Sequence, residues 1–580
     1  MRNYRLYLLT AIIAFFIAAC QEQQTEVNIK IVCTSDVHGN FFPYDFMNDT
    51  LADGSLSRVS TYLNQQRSPE AYGENVIYID NGDILQGQPT TYFYNTVNIE
   101  DMHLAAEVLN YLKCDAATLG NHDIETGGST YQRYIDDLEC PILGGNIVYE
   151  GSDYTFVSPY TIVERSGVKV AILGLTTPAI PHWLPNTLWR GLEFEDMETA
   201  ASRWMQYVRK HESPDIVIGL FHSGYEGGIT TEDYVENATR AVAENVPGFD
   251  AIFYGHEHGA RVDSVTNKEG KKVLLINPGN KALQVGTLDI TYRKGAGKGG
   301  DFTMRPALEK MEFCEPDEAY LSTFATHMKE VEKYVSQKIG TFTHAVSSRD
   351  AYFGPSDFVD FIHQMQLSVS GAQISFAAPL TFNTTLPKGD IFVRDMFNLY
   401  KYENVLYVMT LKGKEVKDYL EMSYGLWTNQ MKHAGDHLLL FNQETSPDGC
   451  LYLQHSFAHF DSAAGIIYEV DVTKPVGQRV TILRMADGKP FSEETAYSVA
   501  LNSFRGTGGG ELLTKGAGIP HDELSRRIRY TTEVDLRYYM LNYIEREGTV
   551  NPQALHHWKF VPERWCTQAA SRDRRLLFGK

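Results

Sequence analysis

Five short segments of this chain place metal-ligand side chains directly after apolar runs. Ile31-Val32 leads to Asp36-Val37-His38, and Ile77-Tyr78-Ile79 leads to Asp80-Asn81-Gly82-Asp83. Ala117-Thr118-Leu119 leads to Gly120-Asn121-His122-Asp123, and Ile216 to Phe221 leads to His222. Ile252-Phe253-Tyr254 leads to Gly255-His256-Glu257-His258. A sixth run, Ile276-Asn277-Pro278-Gly279-Asn280, carries no obvious ligand. Any one of these motifs alone is the kind of polar residue a turn uses structurally; all of them in order form a constellation. Oxygen and imidazole donors without sulfur suit divalent Zn, Mn, Fe or Co. Residues two apart in an extended segment point the same way, so Asp36 with His38, and His256 with His258, could each reach one metal centre. A carboxylate can bridge two cations, which singles out Asp83. Two cations about 3.5–4 Å apart clamp a phosphate ester and activate a water for in-line attack.

The elements that must position these residues follow from the same apolar runs. Strands are expected at Lys30 to Cys33, Val76 to Ile79, Val168 to Gly174, Ile216 to Leu220, Ala251 to Tyr254 and Val273 to Ile276. Between them, Met102, Ala105, Leu109 and Leu112 recur at helical spacing. Strands alternating with helices predict an α/β layered domain over 27–293, with its chemistry in loops at the strand ends. Gly295-Ala296-Gly297-Lys298-Gly299-Gly300 predicts a surface loop or hairpin. Leu321, Phe324, Met328, Val331 and Val335 predict a connecting helix within a linker over 294–339. A second domain of mixed helical and strand patterns is expected over 340–562. The basic tail, 563–580, is expected to be loosely held from Ser571 onward.

Composition narrows the class. The 580 residues are 43% apolar and 22% charged, which excludes disorder and fibrous repeats and suffices for two large domains. The formal net charge of −21 disfavours a nucleic-acid polymer as partner, while a small anion remains compatible with bound cations. Residues 1–20 read as a secretory signal, with Arg2 and Arg5 before the apolar Leu8 to Ile17 and small residues before Cys20. The run is too short to span a bilayer. It resembles a bacterial lipoprotein signal, which implies lipidation of Cys20, an exported, membrane-anchored protein and a mature charge near −23. Six further cysteines form no C-x-x-C pair, so a zinc–thiolate site is not expected; disulfides and buried free thiols both stay open.

Asp36-x-His38, Gly82-Asp83, Gly120-Asn121-His122, His222 and Gly255-His256-x-His258 resemble the metallophosphoesterase signature. Length, export signal and second domain resemble the bacterial 5′-nucleotidase and 2′,3′-cyclic phosphodiesterase family. That resemblance implies a four-layer α/β/β/α metallophosphoesterase domain followed by an α+β nucleotidase C-terminal domain. It implies one divalent metal ion on Asp36, His38, Asp83 and His258, and a second on Asp83, Asn121, His222 and His256. His122 would be catalytic. Where relatives orient that histidine with an Asp three residues on, this chain has Glu125.

The second domain is expected to choose the substrate. Gly389-Asp390-Ile391 through Tyr402-Glu403-Asn404 resembles a nucleotidase motif in which Tyr402 stacks on the base and Asn404 supports it. Asn502 to Gly510 resembles the opposing clamp, with Phe504 as the second ring and Gly465 beside the base. Relatives that favour 5′-monophosphates carry a phosphate-gripping arginine where this chain has Asn383, and an amide lacks the guanidinium fork. Arg394 and Arg505 are the remaining arginines nearby; Arg505 is expected at the surface, with a contact to phosphate as the alternative. The resemblance therefore points to nucleotide substrates, 2′,3′-cyclic nucleotides and 3′-nucleotides first. A broader 5′-nucleotidase is the first alternative and a non-catalytic nucleotide-binding surface lipoprotein the second. No obligate protein partner is indicated.

Overall fold

The computed structural model describes residues 26–293, 301–446 and 449–579. The signal segment with Cys20, and the glycine-rich stretch from Gly295 to Gly300, lie outside those residues. Among the described residues, no helix is long and apolar enough to cross a membrane.

Two six-stranded sheets stack face to face in the first domain. One runs Asp301–Lys310, Gln284–Arg293, Glu26–Thr34, Val76–Asp80, Ala116–Thr118, Ile142–Leu143. The other runs Arg261–Thr266, Lys272–Asn277, Ala251–Tyr254, Ile216–His222, Val168–Thr176, Tyr160–Arg165. Alternation along each strand sorts its side chains. Ile29, Ile31, Cys33, Ile77 and Ile79 meet Ile172, Ile218, Leu220 and Phe253 in the layer between the sheets. Their neighbours Val32 and Tyr78 face outward under Leu56–Gln66 and Leu104–Tyr111. On the far side, Leu173, Val217, Ile252 and Tyr254 lie under Met197–His211 and Thr239–Asn245. Helices cover both outer faces, so these central strands read as continuous apolar runs. The result is the four-layer α/β/β/α order.

The glycine-rich stretch joins Gln284–Arg293 to Asp301–Lys310, which pair antiparallel from Gln284 opposite Lys310 to Arg293 opposite Asp301. The expected connecting helix is two, Glu318–Thr323 and Ala325–Val335. They break at Phe324, whose φ/ψ of −95°/14° leaves the helical region. Its apolar stripe is no free linker surface: Phe324, Val331 and Val335 belong to the first domain's core, with Leu321 and Met328 packed against it.

The second domain centres on a five-stranded sheet, Ser462–Ala464, Ile374–Ala377, Ala496–Asn502, Val405–Lys412, Ile528–Asp535. The tail corrects the sequence expectation. Glu563–Phe578 is one helix whose buried face runs Cys566, Ala569, Asp573 and Leu577 at three-and-four spacing, the three apolar ones entering the core. Asp573, on the same face, accepts the backbone N–H of Leu438 at 2.7 Å and of Leu439 at 3.0 Å. The arginines that made this stretch look solvated sit on its other faces: Arg572 holds the carbonyl of Asp436 and Arg574 pairs with Asp350.

Candidate metal centre and substrate cleft

Asp36, Asp83 and His222 follow parallel strands of the two sheets, and Asn121 opens the short helix Asn121–Glu125 after Ala116–Thr118. Ligand-type residues cluster because the two sheets' carboxyl edges converge. Asp36, His38, Asp83 and His258 bring donor atoms within 4.8 Å of one another, and Asp83, His222 and His256 do the same. Asp83 is common to both groups.

The backbone is bent hard to achieve this. Asp36 (φ 51°), His38 (φ 50°), Asp83 (φ 56°), His256 (φ 70°) and His258 (φ 59°) all adopt the left-handed region. Such a residue costs on the order of 1–3 kcal/mol and persists where its surroundings over-determine it. Two glycines leave the room required. A Cβ on Gly120 would lie 2.0 Å from Asp83 Oδ1, and one on Gly255 would lie 2.1 Å from Ser35 Oγ. Asp123 fastens the Asp83 loop to the helix, its carboxylate accepting N–H bonds from Asp83, Ile84, Leu85 and Gly120 at 2.8–2.9 Å.

Four buried polar atoms here, Asp36 Oδ1, Asp83 Oδ2, Asn121 Oδ1 and His222 Nε2, make no well-formed hydrogen bond; Asp83 Oδ2 and His222 Nε2 face one another at 3.2 Å, and Asp36 Oδ1 faces His258 Nε2 at 3.4 Å. Buried ligand-type atoms gathered around one point with so little else to bind are costly to keep, and all four are oxygen or imidazole donors. That donor set fits divalent cations. The imidazoles are pre-aimed. His38 Nδ1 lies 2.8 Å from the Gln86 carbonyl and His222 Nδ1 lies 2.7 Å from that of Asn81, which holds a proton on each Nδ1 and leaves each Nε2 as the atom free for a cation. His38 Nε2 sits 3.0 Å from His258 Nε2, two ring nitrogens facing one another.

Burial pushes the His38 imidazole down to about 4. Burial acts the same way on His222, but the Asp83 carboxylate overrides it and raises His222 to about 10. Asp83 in turn is held well below the usual carboxylate range against its own burial by His222 and His122. For His122, burial is again outweighed, here by Asp83 and Glu125, and its value rises to about 9. Glu125 Oε2 stands 2.5 Å from His122 Nδ1, so the longer acid reaches the ring. The His122 backbone N–H also donates to Asp83 Oδ1 at 2.8 Å, tying this residue to the shared carboxylate.

A cleft of about 310 Å³ opens beside the cluster, between the domains. Asn121, His122, Glu125 and His256 line one side; Tyr402, Asn404, Phe504 and Arg505 line the other. Gly465 requires correction: it packs its α-carbon against the Gln373 carbonyl and lines a separate depression with Met485 and Tyr497. Arg505 is also misplaced by the sequence reading. It is buried, 2.8 Å from Asp461, and bonded to the Gly509 carbonyl at 3.0 Å, so it braces the cleft wall. Arg394 pairs with Asp49 of the first domain. Asn383 accepts from Arg349 Nε at 2.5 Å and is not among the residues lining the cleft.

Sequence reasoning missed Trp183, His459 and Glu236. Trp183 and His459 line the cleft. The Trp183 ring lies 5.5 Å from that of His256, and its carbonyl accepts from Thr507 Oγ1 of the second domain at 2.6 Å. Trp183 closes a short helix after Val168–Thr176, so the strand-end rule that found the ligands applied to it too. One residue earlier, His182 stacks on His521 of the second domain at 4.4 Å.

Residues 29–260 match the family described as calcineurin-like phosphoesterase, and residues 338–515 match the 5′-nucleotidase C-terminal domain. The trifunctional nucleotide phosphoesterase protein YfkN of Bacillus subtilis is 27% identical over 93% of this chain, which spans only 39% of that relative's length. A 2′,3′-cyclic-nucleotide 2′-phosphodiesterase/3′-nucleotidase of Haemophilus influenzae is 26% identical over 94% of this chain and 89% of its own. A candidate 5′-nucleotidase of Staphylococcus aureus, solved with α-ketoglutarate, superposes with a TM-score of 0.74 at 22% identity, covering 92% of this chain and 99% of that one.

Proposed function

Because this chain belongs to the calcineurin-like phosphoesterases that carry a 5′-nucleotidase C-terminal domain, we propose that it is a metal-dependent nucleotide phosphohydrolase. Its favoured substrates in this reading are 2′,3′-cyclic nucleotides and 3′-nucleotides. The observation that carries the reading is the pair of buried ligand groups that share Asp83, beside an interdomain cleft. Asp36, His38, Asp83 and His258 would hold one divalent cation, and Asp83, Asn121, His222 and His256 a second. Bound there, such ions supply Lewis acidity toward a phosphoryl oxygen and a nucleophilic water at neutral pH.

The chain's own groups do the rest. Glu125 holds the His122 proton at Nδ1 and fixes the ring plane, so Nε2 is the atom available to the departing oxygen. Tyr402 and Phe504 offer aromatic faces to a base, each stack worth about 1–3 kcal/mol. The choice of the cyclic and 3′ branch is supported by the activity named for the Haemophilus relative, while Asn383 stands off the cleft and adds nothing to it. Phosphate and nucleoside release from 2′,3′-cyclic AMP, 3′-AMP and 5′-AMP tests it, with metal-reconstituted protein starting after Cys20. Turnover of the first two above 5′-AMP is expected; preference for 5′-AMP would replace the branch and keep the class. Export and lipid anchoring at Cys20 belong to the same proposal. Labelled fatty acid incorporated by the full chain, and lost in Cys20→Ala, is the expected result.

A further inference from the structure

The histidines around Asp83 are not held alike. His38 and His222 rest Nδ1 on main-chain carbonyls, whereas His256 places Nε2 3.0 Å from the Glu236 carboxylate. Glu236 lies on a two-stranded ribbon, Gly227–Thr230 paired with Val235–Asn237, that rises from the segment just after His222. The ribbon holds the acid firmly. Glu236 Oε2 accepts the Ile229 N–H at 2.7 Å, and a Cβ on Gly228 would sit 2.5 Å from that oxygen. The Glu236 carbonyl accepts from Ser223 Oγ at 2.8 Å and from Thr177 Oγ1 at 3.0 Å, which fastens its main chain to two strand ends beside the cluster. Side-chain exposures of 13% for His256 and 14% for Glu236 leave the pair little screened by water.

We infer that Glu236 is the positioning residue for His256, dictating that Nδ1 is the atom it turns to the Asp83–His222 group. A carboxylate only accepts, so Nε2 must carry the proton and Nδ1 the lone pair. The negative charge behind the ring also strengthens its hold on a cation, as outer-shell carboxylates do for ligating histidines. The inference rests on the metal-centre reading above. It makes the two positions unequal: the one that includes His256 is backed by a buried charge, and the one that includes His258 ends on a side chain 42% exposed.

The test is calorimetric titration of chelator-stripped full chain with Mn²⁺, and absorption spectra with Co²⁺, for wild type, Glu236→Gln and Glu236→Ala. Wild type is expected to take up two ions. Both variants should weaken one dissociation constant, by about 10–100-fold, with the other held within about twofold and one Co²⁺ band shifted. Glu236→Gln preserves size and acceptor, so it decides the matter if Glu236→Ala unfolds. Two ions bound by the variants at wild-type affinities would overturn the role of Glu236 and leave the metal centre standing. Equal weakening at both positions with a lowered metal-free Tm would overturn it as well, by marking a structural role. A wild type that binds no ion overturns both.

Discussion

In the first domain, Asp36, Asp83, Asn121 and His222 turn buried polar atoms toward one point, where their neighbours are other ligand-type groups: Asp83 Oδ2 lies 3.2 Å from His222 Nε2 and Asp36 Oδ1 3.4 Å from His258 Nε2. In the second, the charges nearest the cleft are already engaged: Arg505 is spent on Asp461, which also takes the Tyr419 hydroxyl at 2.6 Å, and Arg394 is spent on Asp49. One half gathers ligand-type atoms around one point, and the other offers aromatic faces beside arginines already paired with carboxylates. In the proposed reading, chemistry and selection fall to different halves. Damage to the first should lower kcat for every phosphoester, while damage to the clamp should raise KM for nucleotides alone.

The hardest blow to that division is Asp83→Asn, which removes the one charge shared by both donor groups. A fall in kcat on the order of 10³-fold or more is expected on cyclic, 3′- and generic aryl phosphates alike, measured by phosphate release. His122→Ala should cost roughly 10²–10⁴-fold in kcat, and Glu125→Gln less, because the amide still holds the ring. Tyr402→Ala and Phe504→Ala should each raise KM for nucleotides by roughly 5–150-fold, the equivalent of one lost stack. Their turnover of an aryl phosphate should be unchanged; an equal loss on it would break the comparison. Leu577→Ala should destabilise by about 2–5 kcal/mol in denaturant melts without altering kcat of the folded fraction.

The smallest effect concerns the junction. Burial, then the neighbouring His521, lowers His182 to about 4; Glu511, Glu236 and Lys515 also face it. A folded value below the ordinary 6.5 means that the stabilisation is complete above pH 6.5 and is lost as pH falls toward 4. Thermal melts between pH 7 and pH 5 should show a Tm loss that His182→Phe reduces.

What could be read from residues alone followed the range of the forces involved. The six strands and the cluster residues announced themselves because each ligand lies within a few positions of its apolar run. Local spacing also carried the connecting stripe, though not the break at Phe324, which is a backbone detail. Glu236 left no trace: an acid on a ribbon reaches His256 across 20 positions, with nothing periodic to mark it. Arg505 and the tail failed for the opposite reason. Charge suggested solvent, and partners distant in sequence, Asp461 and Leu438, took those side chains inside. Gly465 shows the limit of motif transfer, since its place depends on how Gln373 packs.

The helix Glu563–Phe578 sets an order of events during synthesis. The first domain has all of its core residues once Val335 has emerged, whereas the second waits for Leu577. A growing chain therefore carries a finished metal-binding half beside an unfinished second core until the helix Glu563–Phe578 has been made. Ribosome-bound chains arrested far enough beyond Val335 for that residue to clear the exit tunnel should already resist protease across the first domain. Those arrested before the final helix should still be cut in the second, which makes the closing helix the step that commits the cleft to its shape.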